Sequence, residues 1–150
     1  MRVEPIVQEY MTQQPQSIES RENVITARKI MSSFGIRHLP VTTDGVVVGI
    51  LSERELNLAM GMESLDHEQL LVIDVCSEKP YIAYPETPLR EVVTVMAREH
   101  LGSAIIMENA KLTGIFTTVD ACRVLGNILA ENYTEANSRE IKQFRQNRVL

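Results

Sequence analysis

Two segments hold the residue types that could do chemistry: Gly49-Ile50-Leu51-Ser52-Glu53-Arg54-Glu55 and Gly114-Ile115-Phe116-Thr117-Thr118-Val119-Asp120. Each places a hydroxyl three residues after a glycine and an acid three residues after the hydroxyl. If such a run passes from a strand into a helix, the free N–H groups and positive dipole end of that helix favour a phosphate or another anion. The hydroxyl adds a donor, the acid can accept two hydrogen bonds from a ribose diol, and the glycine lets a ligand approach the backbone. The same spacing also makes a capping box, in which hydroxyl and acid satisfy the helix's own orphan N–H groups. On that second account the residues stabilise two helices by about 0.5–2 kcal/mol each and bind nothing.

Other chemistries lack their parts. No GxxxxGK[ST] or GxGxxG run is present, so ATPase and dehydrogenase machinery is missing. Ser52, His38 and Asp120 do not make a hydrolase triad, because no nucleophile-elbow sequence surrounds the serine. His38, His67 and His100 lie in unrelated segments, and Cys76 and Cys122 have no CxxC spacing, so no metal site is expected. The net charge of −5, with fifteen basic residues scattered along the chain, argues against a nucleic-acid partner. No apolar run approaches a membrane span, and the opening residues lack the apolar core of a secretory signal. A cytoplasmic protein with no membrane partner is the expectation.

The elements that position the two segments belong to a repeat. Val7-Gln8-Glu9-Tyr10-Met11-Thr12-Gln13-Gln14-Pro15 aligns with Val72-Ile73-Asp74-Val75-Cys76-Ser77-Glu78-Lys79-Pro80 at a shift of 65 residues, which also places Met31 over Met96 and Glu55 over Asp120 without a gap. Each unit reads as strand, helix, strand, strand, helix, an α+β class. Val24, Ala27, Ile30, Met31 and Phe34 recur at helical spacing in the first unit; Leu89, Val92, Val93 and Met96 do so in the second. Thr87 is expected to cap the second of these helices, with Pro88 at its first position. Hairpins follow around Asp44-Gly45 and Asn109-Ala110, the latter expected to turn differently because alanine resists positive φ. Closing helices are carried by Leu56, Ala59 and Met60, and by Cys122, Leu125, Ile128 and Leu129. The expected organisation is 1–65 for the first unit, 66–132 for the second and 133–150 for a short helical tail, whose start signal is Asn137 with Glu140. Halves this small bury little surface apart and should depend on each other.

The doubled pattern of glycine, apolar residue, Ser/Thr and acid in units of this length resembles the CBS domain pair, or Bateman module, over roughly residues 6 to 130. Ile36-Arg37-His38-Leu39-Pro40-Val41 and the proline-ended opening segments support the resemblance. It implies two β-α-β-β-α units packed with pseudo-two-fold symmetry, a homodimer, and a regulatory adenosine-containing ligand such as AMP, ADP, ATP or S-adenosylmethionine. It implies no catalysis and no obligatory cofactor. Carried over by position, Asp120 would hold ribose, Thr117 phosphate, and Tyr81, Ile82 and Ala83 the adenine of one site. Ser52, Arg54, Glu55, Ser17 and Ile18 would form the other, with Arg37 and His38 as a basic cleft wall. Glu55 departs from the aspartate usual at its position, so the Asp120 site ranks first. No kinase, transporter or dehydrogenase segment accompanies the pair, so the effector is expected to be a separate protein. The rival expectation is an interaction module whose motifs only cap helices.

Overall fold

A computed structural model describes residues 3–133, and the tail helix expected from Asn137 lies outside them. The chain divides into two compact units at Thr117 and Thr118. Within the first, β1 (Thr12–Gln13), β2 (Ile18–Glu19), α1 (Val24–Phe34), β3 (His38–Thr43), β4 (Val46–Ser52) and α2 (Glu53–Met60) are followed by β5 (Ile82–Ala83), α3 (Leu89–Arg98), β6 (Ser103–Glu108) and β7 (Lys111–Thr117). The described part of the second unit contains α4 (Thr118–Asn132). This is the α+β, twice-repeated architecture that the periodicities predicted.

The strands form two sheets, ordered β2-β3-β4 and β1-β7-β6-β5. The second sheet contains a strand from the first repeat, because β1 pairs antiparallel with β7 through Thr12 opposite Ile115. The exchange is returned where Ser77 bridges Ile50, with N–H···O bonds of 2.9 Å in both directions. Equivalent bonds recur under the 65-residue relation. Val7 N–H donates to the Thr87 carbonyl at 2.9 Å, as Val72 N–H does to Glu22 at 2.8 Å; Leu89 N–H donates to Pro5 at 2.8 Å, as Val24 N–H does to Leu70 at 3.0 Å. The two repeats are thus laced together with pseudo-two-fold symmetry. Each completes part of its backbone hydrogen bonding with the other.

Glycine permits two of these crossings. A Cβ on Gly49 would lie 2.6 Å from the Ser77 carbonyl oxygen and 2.9 Å from the Cys76 sulfur, and one on Gly114 would collide with the thioether of Met11. Beneath them the core of the first repeat gathers Val24, Ala27, Met31, Leu39, Val41, Leu51 and Leu56, closed by Val72 from the second. Each large side chain fully buried there contributes about 1.5–3 kcal/mol. Phe34, the last residue of the α1 stripe, remains 56% exposed at the helix end. On α4, Leu125, Ile128 and Leu129 are also exposed, so the burial of Leu56 and Ala59 on α2 is not repeated there.

Two local expectations are corrected. Thr87 does not cap α3: its hydroxyl accepts from Tyr84 N–H at 3.0 Å, within the preceding loop, and Pro88 occupies the cap position without a side-chain bond. Asn109-Ala110 does not turn differently from Asp44-Gly45. Glu108 pairs with Lys111 as Thr43 pairs with Val46, which leaves two residues for each turn, and all four have positive φ: 50° and 60° in the second hairpin, 50° and 80° in the first. Two-residue loops between right-twisted strands require that geometry, so the register imposes it on alanine.

Candidate functional site

The first strand-to-helix junction is closed by its own side chains. Glu55 Oε2 accepts from Ser52 N–H at 2.7 Å and from Ser52 Oγ at 2.8 Å, while Glu55 N–H points at Ser52 Oγ over 3.4 Å. This is the reciprocal capping box that the spacing allows, and it engages the Glu55 carboxylate. Arg54, beside it, is exposed.

Arg37, in the bend before β3, and His38, the first residue of β3, are the two residues read from sequence as a basic wall. Arg37 Nε pairs with Glu53 at 3.4 Å and lines a groove of about 290 Å³ between α1 and α2, together with Arg28, Met31, Ser32, Leu56 and Asn57. Arg28 donates to Asn57 Oδ1 there at 2.9 Å. Sequence reasoning missed this groove; Arg28 and Asn57 lie on different helices and share no motif. His38 is the register partner of Ser52, and its ring lies on the backbone of Gly102 in the other repeat. Burial lowers its pKa below the ordinary 6.5, opposed by the Glu55 carboxylate, reinforced by Arg37 and opposed again by Glu53. The other expected contributors, Ser17 and Ile18, are respectively exposed and buried, with Ile18 opposite Val41 where β2 joins β3.

In the second repeat, Thr117 ends β7 opposite Ser103 and Asp120 stands in the first turn of α4. Asp120 is 6% exposed, the one buried charged side chain among the described residues. Its Oδ1 accepts from Arg123 Nη1 at 3.0 Å. Of the proposed adenine-lining segment, Tyr81 and Ile82 present surface whereas Ala83 is buried. The Tyr81 carbonyl accepts from Ile105 N–H at 2.8 Å, and its phenol pKa is raised by burial and then by the charge of Glu91. Among the described residues, no group of three acids, histidines or cysteines is placed to hold a metal, and no helix is long and apolar enough to cross a membrane.

The sequence model of the CBS domain matches twice, at residues 7–61 and 72–127. The uncharacterized YlbB of Bacillus subtilis is 30% identical over 116 residues, covering 76% of this chain and 78% of that protein. Homoserine O-acetyltransferase of Methanococcoides burtonii is 26% identical over 80% of this chain, and inosine-5'-monophosphate dehydrogenase of Korarchaeum cryptofilum 29% identical over 69%. The chain spans 24% and 21% of the lengths of those two enzymes. Among solved structures, the CBS domain pair of MJ0100, in complex with 5'-methylthioadenosine and S-adenosyl-L-methionine, is similar with a TM-score of 0.75 at 20% identity, covering 83% of this chain and 98% of that one. CBSX2 in complex with AMP gives a TM-score of 0.69 at 19% identity, covering 82% and 97%.

Proposed function

Because the chain belongs to the CBS domain family and contains two copies of the domain, we propose that it is a non-enzymatic regulatory module sensing an adenosine-containing ligand between its repeats. AMP, ADP, ATP and S-adenosylmethionine are the candidates. Asp120 holds the ribose, Thr117 meets phosphate, and Tyr81, Ile82 and Ala83 line the adenine. A second, lesser site uses Ser52, Arg54, Glu55, Ser17, Ile18, Arg37 and His38. The protein works in the cytoplasm as a homodimer, and a separate effector protein reads its changed surface. Ligand affinity must differ between two arrangements for that change to occur.

The observation that carries this reading is the buried carboxylate of Asp120 at the motif position. A carboxylate offers about four acceptor sites, so Asp120 can accept from sugar hydroxyls beside its bond from Arg123. The adenosyl ligands in MJ0100 and CBSX2, which share the fold, support the ligand class. A thermal-shift series with AMP, ADP, ATP and S-adenosylmethionine tests it: a ligand at about 100 times its Kd adds about 2.7 kcal/mol to the folded state. A second reading, an interaction module that binds no nucleotide, is favoured by the closed Ser52–Glu55 cap. Melting temperatures unmoved by every ligand would select it.

A further inference from the structure

Three side chains of this fold fill a space left by a glycine of the other repeat: Met11 on Gly114, Cys76 on Gly49 and His38 on Gly102. The first two are partners under the 65-residue relation. The third has no counterpart, because its mirror would set Ser103 against Arg37, and Arg37 is turned to Glu53. A Cβ on Gly102 would stand 2.6 Å from His38 Nε2 and 3.1 Å from Cε1, so the imidazole rests directly on the opposing backbone.

A neutral imidazole can stay there, whereas an imidazolium loses hydration against a surface with no side chain to compensate it. The nearby acids are Glu55 and Glu53, with Arg37 opposing them. The Glu55 carboxylate is already bound to Ser52, and Glu53 is paired with Arg37. On the segment leading to Gly102, Arg98 and Glu99 pair with each other at 2.7 Å and His100 is exposed; none of the three moves the titration of His38. We propose that the His38–Gly102 contact is a proton-responsive joint between the two repeats, tight while the imidazole is neutral and loosened when it is protonated.

The direction follows from linkage. A histidine whose folded-state pKa lies below its unfolded value contributes stability above that unfolded value, near 6.5, and the contribution is lost as pH falls through the lowered one. Nuclear Overhauser effects between the His38 Hε1 and Gly102 Hα protons of the full chain read the joint directly. They should be strong at about pH 7.5 and fade at about pH 5.5, in step with the His38 titration itself, a window that brackets the ordinary imidazole range. In Gly102→Ala the displaced ring should titrate closer to 6.5 than in the parent protein. In His38→Gln the acid-side fall in urea midpoint should shrink. An Overhauser effect that persists unchanged through the titration of His38 overturns the proposal, as does a Gly102→Ala variant in which His38 titrates where it did before. The first measurement needs no variant to fold, and neither outcome depends on nucleotide binding.

Discussion

The two strand-to-helix junctions share a glycine, a hydroxyl and an acid at the same spacing, yet they surround the acid with different charges. In the first, Arg54 precedes Glu55, and the position one turn beyond the acid is Leu58, 65% exposed. In the second, Val119 precedes Asp120, and Arg123 stands one turn beyond it, bonded to the carboxylate. The first acid is partly exposed, and the second is buried beside an arginine whose side chain is 67% exposed. The spacing recurs at both junctions under the 65-residue relation. Single residues then decide which charge each acid faces. Under the functional reading proposed above, the second junction is the ligand site and the first is chiefly structural.

The sharpest break in that comparison comes from removing each acid. Asp120→Ala should lower the affinity for the responding nucleotide by at least tenfold, or about 1.4 kcal/mol, in isothermal titration. Glu55→Ala should instead cost about 1 kcal/mol of folding stability through the lost cap, with a much smaller change in affinity at the Asp120 site. Equal affinity losses from the two variants would contradict the division of roles, and unchanged affinity in Asp120→Ala would remove its ribose contact.

A second contrast concerns the crossings that lace the repeats. At Gly49 a new Cβ meets a backbone carbonyl, Ser77 O, and cannot be accommodated without moving the chain; at Gly114 it meets the flexible thioether of Met11. Gly49→Ala should therefore cost about 1–3 kcal/mol, the usual range for overpacking, and Gly114→Ala distinctly less. Urea midpoints of the two variants measure this. Comparable losses would mean that Met11 is as rigidly held as the Ser77 backbone.

Much of this fold was legible because its signals are local or repeated. The stripe of Val24, Ala27 and Met31, the Asp44-Gly45 turn and the 65-residue shift each declare themselves within one stretch of chain or its copy. The exchange of β1 onto β7 was not, since two residues of strand leave no periodicity to read. The candidate site was legible as a choice between capping and ligand binding, and at Ser52–Glu55 the structure displays the capping arrangement. The different partners of Arg37 and His38, Glu53 for the one and the Gly102 backbone for the other, were not legible, because both lie elsewhere in the chain. Gly102 gave no sign of its role, because its neighbour comes from the other repeat.

The smallest expected effect lies in the hairpins. Gly45 and Ala110 occupy the same turn position, both with positive φ, but only glycine adopts that conformation without a Cβ penalty. Left-handed geometry costs a residue such as alanine about 1–2 kcal/mol, and glycine's greater freedom in the unfolded chain offsets part of any gain from replacing it. Ala110→Gly should thus stabilise the protein by about 0.5–1 kcal/mol, and Gly45→Ala should destabilise it by a similar amount, both read from urea midpoints. A destabilising Ala110→Gly would mean that the Ala110 methyl makes contacts worth more than the strain it imposes. Because the two turns belong to different hairpins, the two changes should also be additive, which separates these local costs from the coupled ones at the crossings.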